Sequence, residues 1–212
     1  MQKQLFTMPF VSKFNFEKFN LYLWKIQESE DTLKAGIKMN FSLKERLNCS
    51  GNLEHRKRIL SIYQLLKTAG ISEADLSHNS LGAPVLKSGL NISISHSKLY
   101  SGIVLSGFKV GIDIEYFRRK IINISPKFLN SNENSAKGNI EKLTIIWTSK
   151  EAIYKAYSKK ELSFSKQIKI DKPFVVDKIC SGSVMLNDEV KIYGLSTFKL
   201  DSHIVTVAYE KK

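Results

Sequence analysis

An alternating run at residues 110–115 constrains the fold of this chain more than any other stretch. Aliphatic residues occupy every second position, and a glycine and two acids lie between them: Val110, Gly111, Ile112, Asp113, Ile114 and Glu115. Successive side chains of a β-strand point to opposite faces, so the aliphatic side chains are predicted to enter a core. The two acids then share the other face, with their Cα atoms about 6.6 Å apart.

Two carboxylates on one strand face can bind one hard cation. Mg²⁺ prefers oxygen ligands and keeps several waters that a phosphate can replace. The alternative is an ordinary half-buried strand with an acidic outer face, because antiparallel sheets commonly have one polar face. The pattern by itself leaves both interpretations open.

Length, charge and cysteine content set broad limits on function. The 212 residues suffice for one large domain or two small ones. The net charge of +13 favours an anionic partner, which could be nucleic acid, a phosphorylated small molecule, an acidic protein or a membrane surface. Cys49 and Cys180 lie far apart and indicate neither a metal site nor a disulfide framework. No long apolar segment is present, so a soluble, cytoplasmic protein is expected.

The spacing of apolar residues predicts a mixed α+β fold. Helices are predicted over residues 53–69 and 145–157, and strands over residues 21–26, 90–95, 100–105, 110–115, 174–176, 190–195 and 204–209. The turn-like segment 106–109 is the expected junction between an N-terminal half, residues 1–107, and a C-terminal half, residues 108–212.

Polar side chains at the ends and faces of these elements suit phosphate chemistry. Ser95 and His96 end a predicted strand, where a hydroxyl beside an imidazolium would suit a phosphate oxygen, although a structural hydrogen-bonding role is the alternative. Trp147, Glu151 and Lys155 recur at intervals of four on the second helix and therefore lie near one face. A plain surface ion pair between Glu151 and Lys155 is the alternative there.

Three segments occur together in the order and spacing of a known family. They read NISISHS at residues 91–97, GIDIE at residues 111–115 and WTSKEAIYKA at residues 147–156. These segments resemble the 4′-phosphopantetheinyl transferases of the surfactin-synthetase-activating (Sfp) type. That family has a Ser-His-Ser strand end, then G-I-D-x-E, then W-x-x-K-E-x-x-x-K. The resemblance extends from about Arg56 to Ala156, and the three motifs in this order are specific.

The resemblance implies a fold and an activity. The fold is a pseudo-dimer of two similar α+β halves with coenzyme A bound between them. The activity is that of a holo-[acyl-carrier-protein] synthase, which moves 4′-phosphopantetheine from coenzyme A to a serine of an apo acyl or peptidyl carrier protein. The reaction depends on Mg²⁺, with Mn²⁺ as a possible substitute, and releases adenosine 3′,5′-bisphosphate. A monomer is expected, with neither nucleic acid nor a membrane as partner.

The motifs also imply roles for particular residues. The metal ligands would be Asp113, Glu115 and Glu151. The coenzyme A contacts would be Arg56, Ser95, His96, Lys150 and Lys155. The catalytic residues would be Glu133, Glu151 and Lys155, with Glu133 as a candidate base for the carrier serine. Glu133 is also the one acid in the polar stretch 130–139, where a solvated loop acid is the ordinary expectation.

The chemistry of phosphoryl transfer agrees with these roles, because it needs positioning and charge neutralisation more than covalent help. One departure from the family pattern is Ala83, which lies between Gly82 and Pro84 where the family often has a basic residue. Ala83 therefore removes one expected contact with coenzyme A. Gly111 is expected to leave room for the pyrophosphate, because it has no side chain.

Two other classes of function remain as alternatives. A Mg²⁺-dependent nuclease would also need acids and basic surface, but its usual strand places a lysine two residues from an acid, whereas Tyr116 and Phe117 follow Glu115 here. A non-catalytic nucleic-acid-binding protein would explain the charge but not three carboxylates in a basic chain. Salt-dependent binding to DNA or RNA without carrier modification would support it.

Overall fold

The computed structural model describes residues 11–158 and 162–211. Within these ranges no helix is both long and apolar enough to cross a membrane. The N-terminal residues that contributed to the expected localisation, residues 1–10, lie outside the described residues.

The N-terminal half forms one antiparallel sheet with helices on it. Its helices are α1 (Glu30–Lys34), α2 (Phe41–Asn48) and α3 (Leu53–Thr68). Its strands are β1 (Val11–Asn15), β2 (Asn20–Lys25), β3 (Leu76–His78), β4 (Pro84–Leu86), β5 (Asn91–His96) and β6 (Tyr100–Ser106). The sheet has the strand order β1-β2-β6-β5, and β3 and β4 form a separate small hairpin.

The C-terminal half forms a second antiparallel sheet with the strand order β7-β11-β10-β9-β8. Its strands are β7 (Val110–Tyr116), β8 (Ile168–Ile170), β9 (Ile179–Leu186), β10 (Glu189–Leu200) and β11 (His203–Glu210). Its helices are α4 (Lys120–Ile124), α5 (Ile140–Tyr157) and α6 (Phe164–Gln167), with 3₁₀ turns at Ser125–Lys127 and Ser131–Ala136. The mixture of helix and sheet agrees with the predicted α+β class.

The two halves share an order of elements. In the first, β2 is followed by α3 and then by the β5–β6 hairpin, whose last strand pairs with β2. In the second, β7 is followed by α5 and later by the β10–β11 hairpin, whose last strand pairs with β7. The second half adds β8 and β9 at the outer edge of its sheet.

The predicted strand at residues 174–176 is wrong, and β9 was missed. Residues 174–176 form no regular structure, in keeping with Pro173 before them and the left-handed φ of +57° at Asp177 just after. In β9, the run Ser181-Gly182-Ser183 breaks the apolar alternation that would have indicated a strand.

Helix α5 packs directly on β7, and Gly111 makes this contact possible. A Cβ atom at Gly111 would collide with the carbonyl oxygen of Ala152 and lie 2.7 Å from the amide nitrogen of Ala156. The expectation that Gly111 leaves room for a pyrophosphate is therefore wrong, because the backbone of α5 fills that space. The helix begins after Asn139, whose side chain accepts a hydrogen bond from the amide of Lys142.

The two sheets meet where β5 lies beside β7. Ser93 Oγ accepts a hydrogen bond from the amide of Ile112 at 3.1 Å, and Ser95 Oγ accepts one from the amide of Ile114 at 3.2 Å. These hydroxyls satisfy amides that the outer edge of β7 would otherwise leave unpaired. An apolar cluster also joins the sheets; it includes Leu21, Leu23, Val104, Val110, Ile112, Ile114, Val205 and Val207. The division into residues 1–107 and 108–212 stays a prediction.

Candidate functional site

Three predicted site residues meet at the middle of β7. Lys155, in the last turn of α5, places Nζ 2.8 Å from Asp113 Oδ1. Ser95, near the end of β5, donates to the same Oδ1 at 3.1 Å and accepts from Lys155 Nζ at 3.2 Å. Lys155 Nζ also donates to the carbonyl oxygen of Ile112 at 2.9 Å. The partner of Lys155 is therefore Asp113, on another element, and not its helical neighbour Glu151.

One carboxylate oxygen of Asp113 is an unsatisfied hydrogen-bond acceptor among the described residues. The residue is buried, at 7% exposure. Its Oδ2 atom is buried and has no hydrogen-bond partner in the part of the chain that the structure describes. A buried carboxylate oxygen without a partner is costly, and a cation or a donor from a ligand would relieve this cost.

Glu115 is held from two sides. Arg118 Nη2 lies 3.2 Å from both carboxylate oxygens of Glu115. The indole nitrogen of Trp147, on α5, donates to Glu115 Oε1 at 3.3 Å. The Trp147 ring in turn packs against Phe128 and Phe164, with ring centroids 5.1 and 5.5 Å away. The orientation of Glu115 is therefore fixed by a cation on one side and a packed aromatic residue on the other.

Two of the three predicted metal ligands, Glu115 and Glu151, have raised pKa values. Burial raises the pKa of Glu151 to about 7, and the negative charges of Asp113 and Glu115 add to this shift while Lys155 opposes it. Burial, followed by the charge of Asp113, also raises the pKa of Glu115, although Arg118 acts in the opposite direction. Raised pKa values of this kind are expected for carboxylates that lie near other negative charges in partly dehydrated surroundings.

The donor set fits a hard divalent cation in its chemistry but is not arranged around one. Three carboxylates and the unpartnered Asp113 Oδ2 provide the oxygen ligands that Mg²⁺ prefers. Across residues 11–158 and 162–211, however, no three His, Cys, Asp or Glu side chains stand where they could hold one ion. Lys155 and Arg118 occupy oxygens of Asp113 and Glu115, so a shared ion requires these side chains to rearrange.

A basic cleft of about 370 Å³ opens beside Asp113 and Lys155. Its lining includes His96, Arg46, His55 and His78. The His55 and His96 rings lie 6.3 Å apart between centroids. His96 is exposed to solvent at the cleft, yet partial dehydration lowers its pKa, and the charges of Arg58 and His55 lower it further. The cleft thus combines weakly basic imidazoles with permanent cations, a combination suited to phosphate groups.

Sequence reasoning missed Arg46, His55 and His78 as cleft residues. The helical repeat could have indicated one of them, His55. It lies on the same face of α3 as Ile59 and Ile62, and all three line the cleft. Arg46 and His78 come from α2 and the β3–β4 hairpin. Nothing in the local sequence indicates that these two elements approach the same cleft.

Arg56, predicted to contact coenzyme A, lies elsewhere. Its Nε and Nη2 atoms are each 2.9 Å from Glu30 Oε2, and Nη1 donates to the carbonyl oxygen of Ser50 at 3.0 Å. Together with Lys34, Arg56 lowers the pKa of Glu30. Arg56 lines a different cleft from His96, so the structure does not bring it to the candidate site.

Lys150 and Glu133 are likewise not at the site. Both side chains are completely buried, and Lys150 Nζ lies 2.7 Å from Glu133 Oε2. Lys150 also donates to three backbone carbonyl oxygens, those of Phe128, Phe164 and Ile168, at 2.7–2.8 Å. Burial lowers the pKa of Lys150, and the carboxylate of Glu133 opposes this shift. Lys150 therefore connects α5 to Phe128, to α6 and to β8, and the structure does not bring it to the basic cleft where a phosphate contact was predicted.

Both carboxylate oxygens of Glu133 accept hydrogen bonds from groups inside the protein. Its two oxygens accept from the amides of Asn130 and Ile170 at 3.0 and 2.9 Å, in addition to the contact with Lys150. Both sequence-based interpretations of Glu133, as a solvated loop acid and as a base for the carrier serine, conflict with its complete burial. The signal that could have shown this is the Asn130-x-x-Glu133 spacing, which is the capping box observed here.

A second, more apolar cleft of about 470 Å³ adjoins the basic one. The two clefts share Gly82, Pro84, Ile94 and Lys155 as lining residues. Ala83 lines the apolar cleft beside the exposed side chains of Leu81 and Leu90. The position at which the family often has a basic residue therefore faces an apolar surface in this chain.

The motifs and the comparison with known families agree on the C-terminal half. Residues 109–207, slightly less than half of the chain, match the family model of the 4′-phosphopantetheinyl transferase superfamily. The matched range contains β7, α5 and all three acids of the candidate metal site. No curated protein matches the chain. The family match therefore shows that this half of the chain is similar to that superfamily.

Proposed function

We propose that this chain is a 4′-phosphopantetheinyl transferase of the surfactin-synthetase-activating type. It transfers 4′-phosphopantetheine from coenzyme A to a serine of an apo acyl or peptidyl carrier protein, as a cytoplasmic monomer. The observation that carries this proposal is the contact of Ser95, Asp113 and Lys155, one residue from each of the three motifs, beside a basic cleft. The common strand–helix–hairpin order of the two halves supports the proposed pseudo-dimer.

The metal ligands in this proposal are Asp113, Glu115 and Glu151. When bound, Mg²⁺, or Mn²⁺ in its place, would neutralise charge on the pyrophosphate of coenzyme A. The unpartnered Oδ2 atom of Asp113 supports its role as an oxygen ligand for a cation.

The phosphate groups are assigned to the basic side chains of the cleft. Lys155, Ser95 and His96 are next to the acids and would contact the pyrophosphate. Arg46, His55 and His78 line the rest of that cleft and would contact the remaining phosphate of coenzyme A. These three residues replace Arg56 in the proposal, since Arg56 is paired with Glu30.

The transfer joins the serine oxygen of the carrier to the phosphorus next to pantetheine. The bond from that phosphorus to the nucleotide phosphate breaks, and adenosine 3′,5′-bisphosphate leaves with the electron pair. The serine proton needs an acceptor at the cleft. The candidate is Glu151, which is also a proposed metal ligand, because burial raises its pKa to about 7, near neutral pH. Lys155 and Arg118 already pair with Asp113 and Glu115, and Glu133 is buried against Lys150. Lys155 remains beside the acids as a source of positive charge for the leaving phosphate.

A direct assay tests the proposed function. The protein is incubated with Mg²⁺, coenzyme A and an apo carrier protein, and the mass of the carrier is measured. The expected result is an increase equal to one phosphopantetheine group, absent when EDTA replaces Mg²⁺. Carrier proteins from fatty-acid, polyketide and peptide synthesis are all offered. If none gains mass, the transferase proposal is wrong.

A further inference from the structure

Each acid of β7 is paired with a basic side chain of this chain. Lys155 holds Asp113 at 2.8 Å, and Arg118 holds both oxygens of Glu115 at 3.2 Å. Arg118 follows β7 directly and belongs to none of the three sequence motifs. The Arg118 and Glu115 side chains are 36% and 22% exposed, so both are in contact with water. The guanidinium can therefore leave its partner and stay hydrated.

We propose that Arg118 is a positioning residue that makes cation binding depend on the anionic substrate. This inference rests on the proposed function, in which Glu115 is a ligand for Mg²⁺. A divalent cation at Glu115 has to displace the guanidinium or share the carboxylate with it. The two positive charges then repel each other. Cation binding by the protein alone is therefore weakened by the presence of Arg118.

An anion bound beside the cation changes this balance. Its negative charge offsets the repulsion, and the released guanidinium adds a favourable charge next to it. Cation and anion consequently bind better together than separately. Thermodynamic linkage requires the same factor to apply in both directions, so the cation also strengthens binding of coenzyme A. Because free metal binds weakly, Glu115 stays paired until both partners are present.

Lys155 acts on Asp113 in a comparable way but is unsuitable for a test, because it is also proposed to contact phosphate. Arg118 allows the effect to be measured separately. Arg119 provides a matched control, since it is the adjacent residue, carries the same charge and is exposed to solvent. Substituting Arg119 changes the net charge by the same amount and leaves the contacts of Arg118 with Glu115 in place.

The experiment measures Mn²⁺ affinity from the electron paramagnetic resonance signal of free Mn²⁺, with and without coenzyme A. For the wild type, coenzyme A is expected to tighten Mn²⁺ binding. Arg118→Gln is expected to bind Mn²⁺ alone roughly two- to five-fold more tightly, the range for a partly exposed ion pair. In this variant, the factor by which coenzyme A strengthens Mn²⁺ binding should decrease to a similar extent. Arg118→Lys should restore most of the coupling.

Two outcomes would overturn the proposal in distinguishable ways. If Arg118→Gln and Arg119→Gln behave alike in both titrations, Arg118 has no specific role, although the transferase function is unaffected. If the wild type binds no Mn²⁺ in either titration, the metal site and the role of Arg118 both fail. Modification of an apo carrier by the same preparation shows independently whether the transferase proposal holds.

Discussion

Lys155 Nζ and Asp113 Oδ1 lie 2.8 Å apart, so the last turn of α5 is tied to the middle of β7 by an ion pair. The two side chains are 30% and 10% exposed. This pair joins two motifs whose residues are 42 positions apart in the chain. Removal of either partner therefore leaves the other without its ion-pair contact.

Asp113→Asn is expected to abolish transfer while the fold is retained. The amide cannot supply the negative charge that a divalent cation and Lys155 both require. We expect the transfer rate to fall by at least about 100-fold, the scale for loss of one main electrostatic contribution. Asp171→Asn is the control, because Asp171 also pairs with a lysine, Lys169, but lies away from the basic cleft. Equal transfer by the two variants would show that the metal site is misplaced.

Arg46→Gln is expected to weaken binding of coenzyme A, because Arg46 lines the basic cleft. Loss of one charge-assisted hydrogen bond, about 1.5–3 kcal/mol, corresponds to roughly a 10- to 100-fold loss of affinity. Arg56→Gln, which removes the same charge from a side chain paired with Glu30, should leave affinity near that of the wild type. Calorimetric titration with coenzyme A measures both. If Arg56→Gln lost more affinity for coenzyme A than Arg46→Gln, the motif-based assignment of Arg56 as a coenzyme A contact would be correct.

Lys150→Met is expected to destabilise the fold strongly. The substitution leaves Glu133 buried without its cation and removes the donor for three carbonyl oxygens. Loss of one member of a buried pair costs about 3–5 kcal/mol in the free energy of unfolding. Urea denaturation measures this, with Lys142→Met on the exposed face of the same helix as the control. A loss below about 1 kcal/mol would contradict the structural role.

Gly111→Ala is expected to separate α5 from β7. The added methyl group meets backbone atoms of Ala152 and Ala156, which cannot move as a flexible side chain would. A cost of about 1–3 kcal/mol is typical of such overpacking. Gly107→Ala is the comparison, because a methyl group there would meet no atom of the described residues within 4 Å beyond its chain neighbours, and its φ is not in the left-handed region. Similar unfolding midpoints for the two variants would argue against close packing at Gly111.

His203 should make the fold less stable in mild acid. The ring is 2% exposed, and neither nitrogen has a partner among the atoms that the structure describes. Burial lowers the pKa of His203, so the unfolded chain takes up its proton first as the pH falls. His203 therefore contributes stability that is fully present above about pH 6.5 and is lost below it. The raised pKa of Glu151 acts in the opposite direction over the same range, because there the folded chain takes up the proton first.

The contribution of His203 can be isolated with His203→Phe, which keeps a ring beside Tyr100. His78 and His96 also have lowered pKa values and should produce a residual decrease. Urea titrations at about pH 7.5 and about pH 5.5, on either side of the ordinary histidine pKa, should show a smaller loss of stability in the variant than in the wild type. An equal loss in both proteins would mean that His203 does not titrate in this range.

Local patterns predicted the elements around the site well. The alternation of residues 110–115 became β7, and the apolar repeat of residues 53–69 became α3. The grouping of Ser95, Asp113 and Lys155 also followed from the three motifs. These features depend on short-range periodicity or on a family pattern, and both are readable from one chain.

Features that depend on long-range packing could not be read in this way. Arg56 and His55 are adjacent in sequence, and which of them faces the cleft depends on where Glu30 and Ser50 fold back against α3. Lys150 and Glu151 are also adjacent, yet Lys150 is buried against Glu133 and Glu151 lies near Asp113. Charge type alone does not distinguish such neighbours, because the burial of each is set by distant segments.

The serine hydroxyls between β5 and β7 have a consequence for how the molecule can move. Ser95 Oγ contacts the Ile114 amide, the Asp113 carboxylate and the Lys155 ammonium group simultaneously. A shift of one half along the other would break these three bonds together and would also separate His96 from the acids. The alignment of the two halves and the geometry of the site are therefore coupled, because Ser95 Oγ takes part in both.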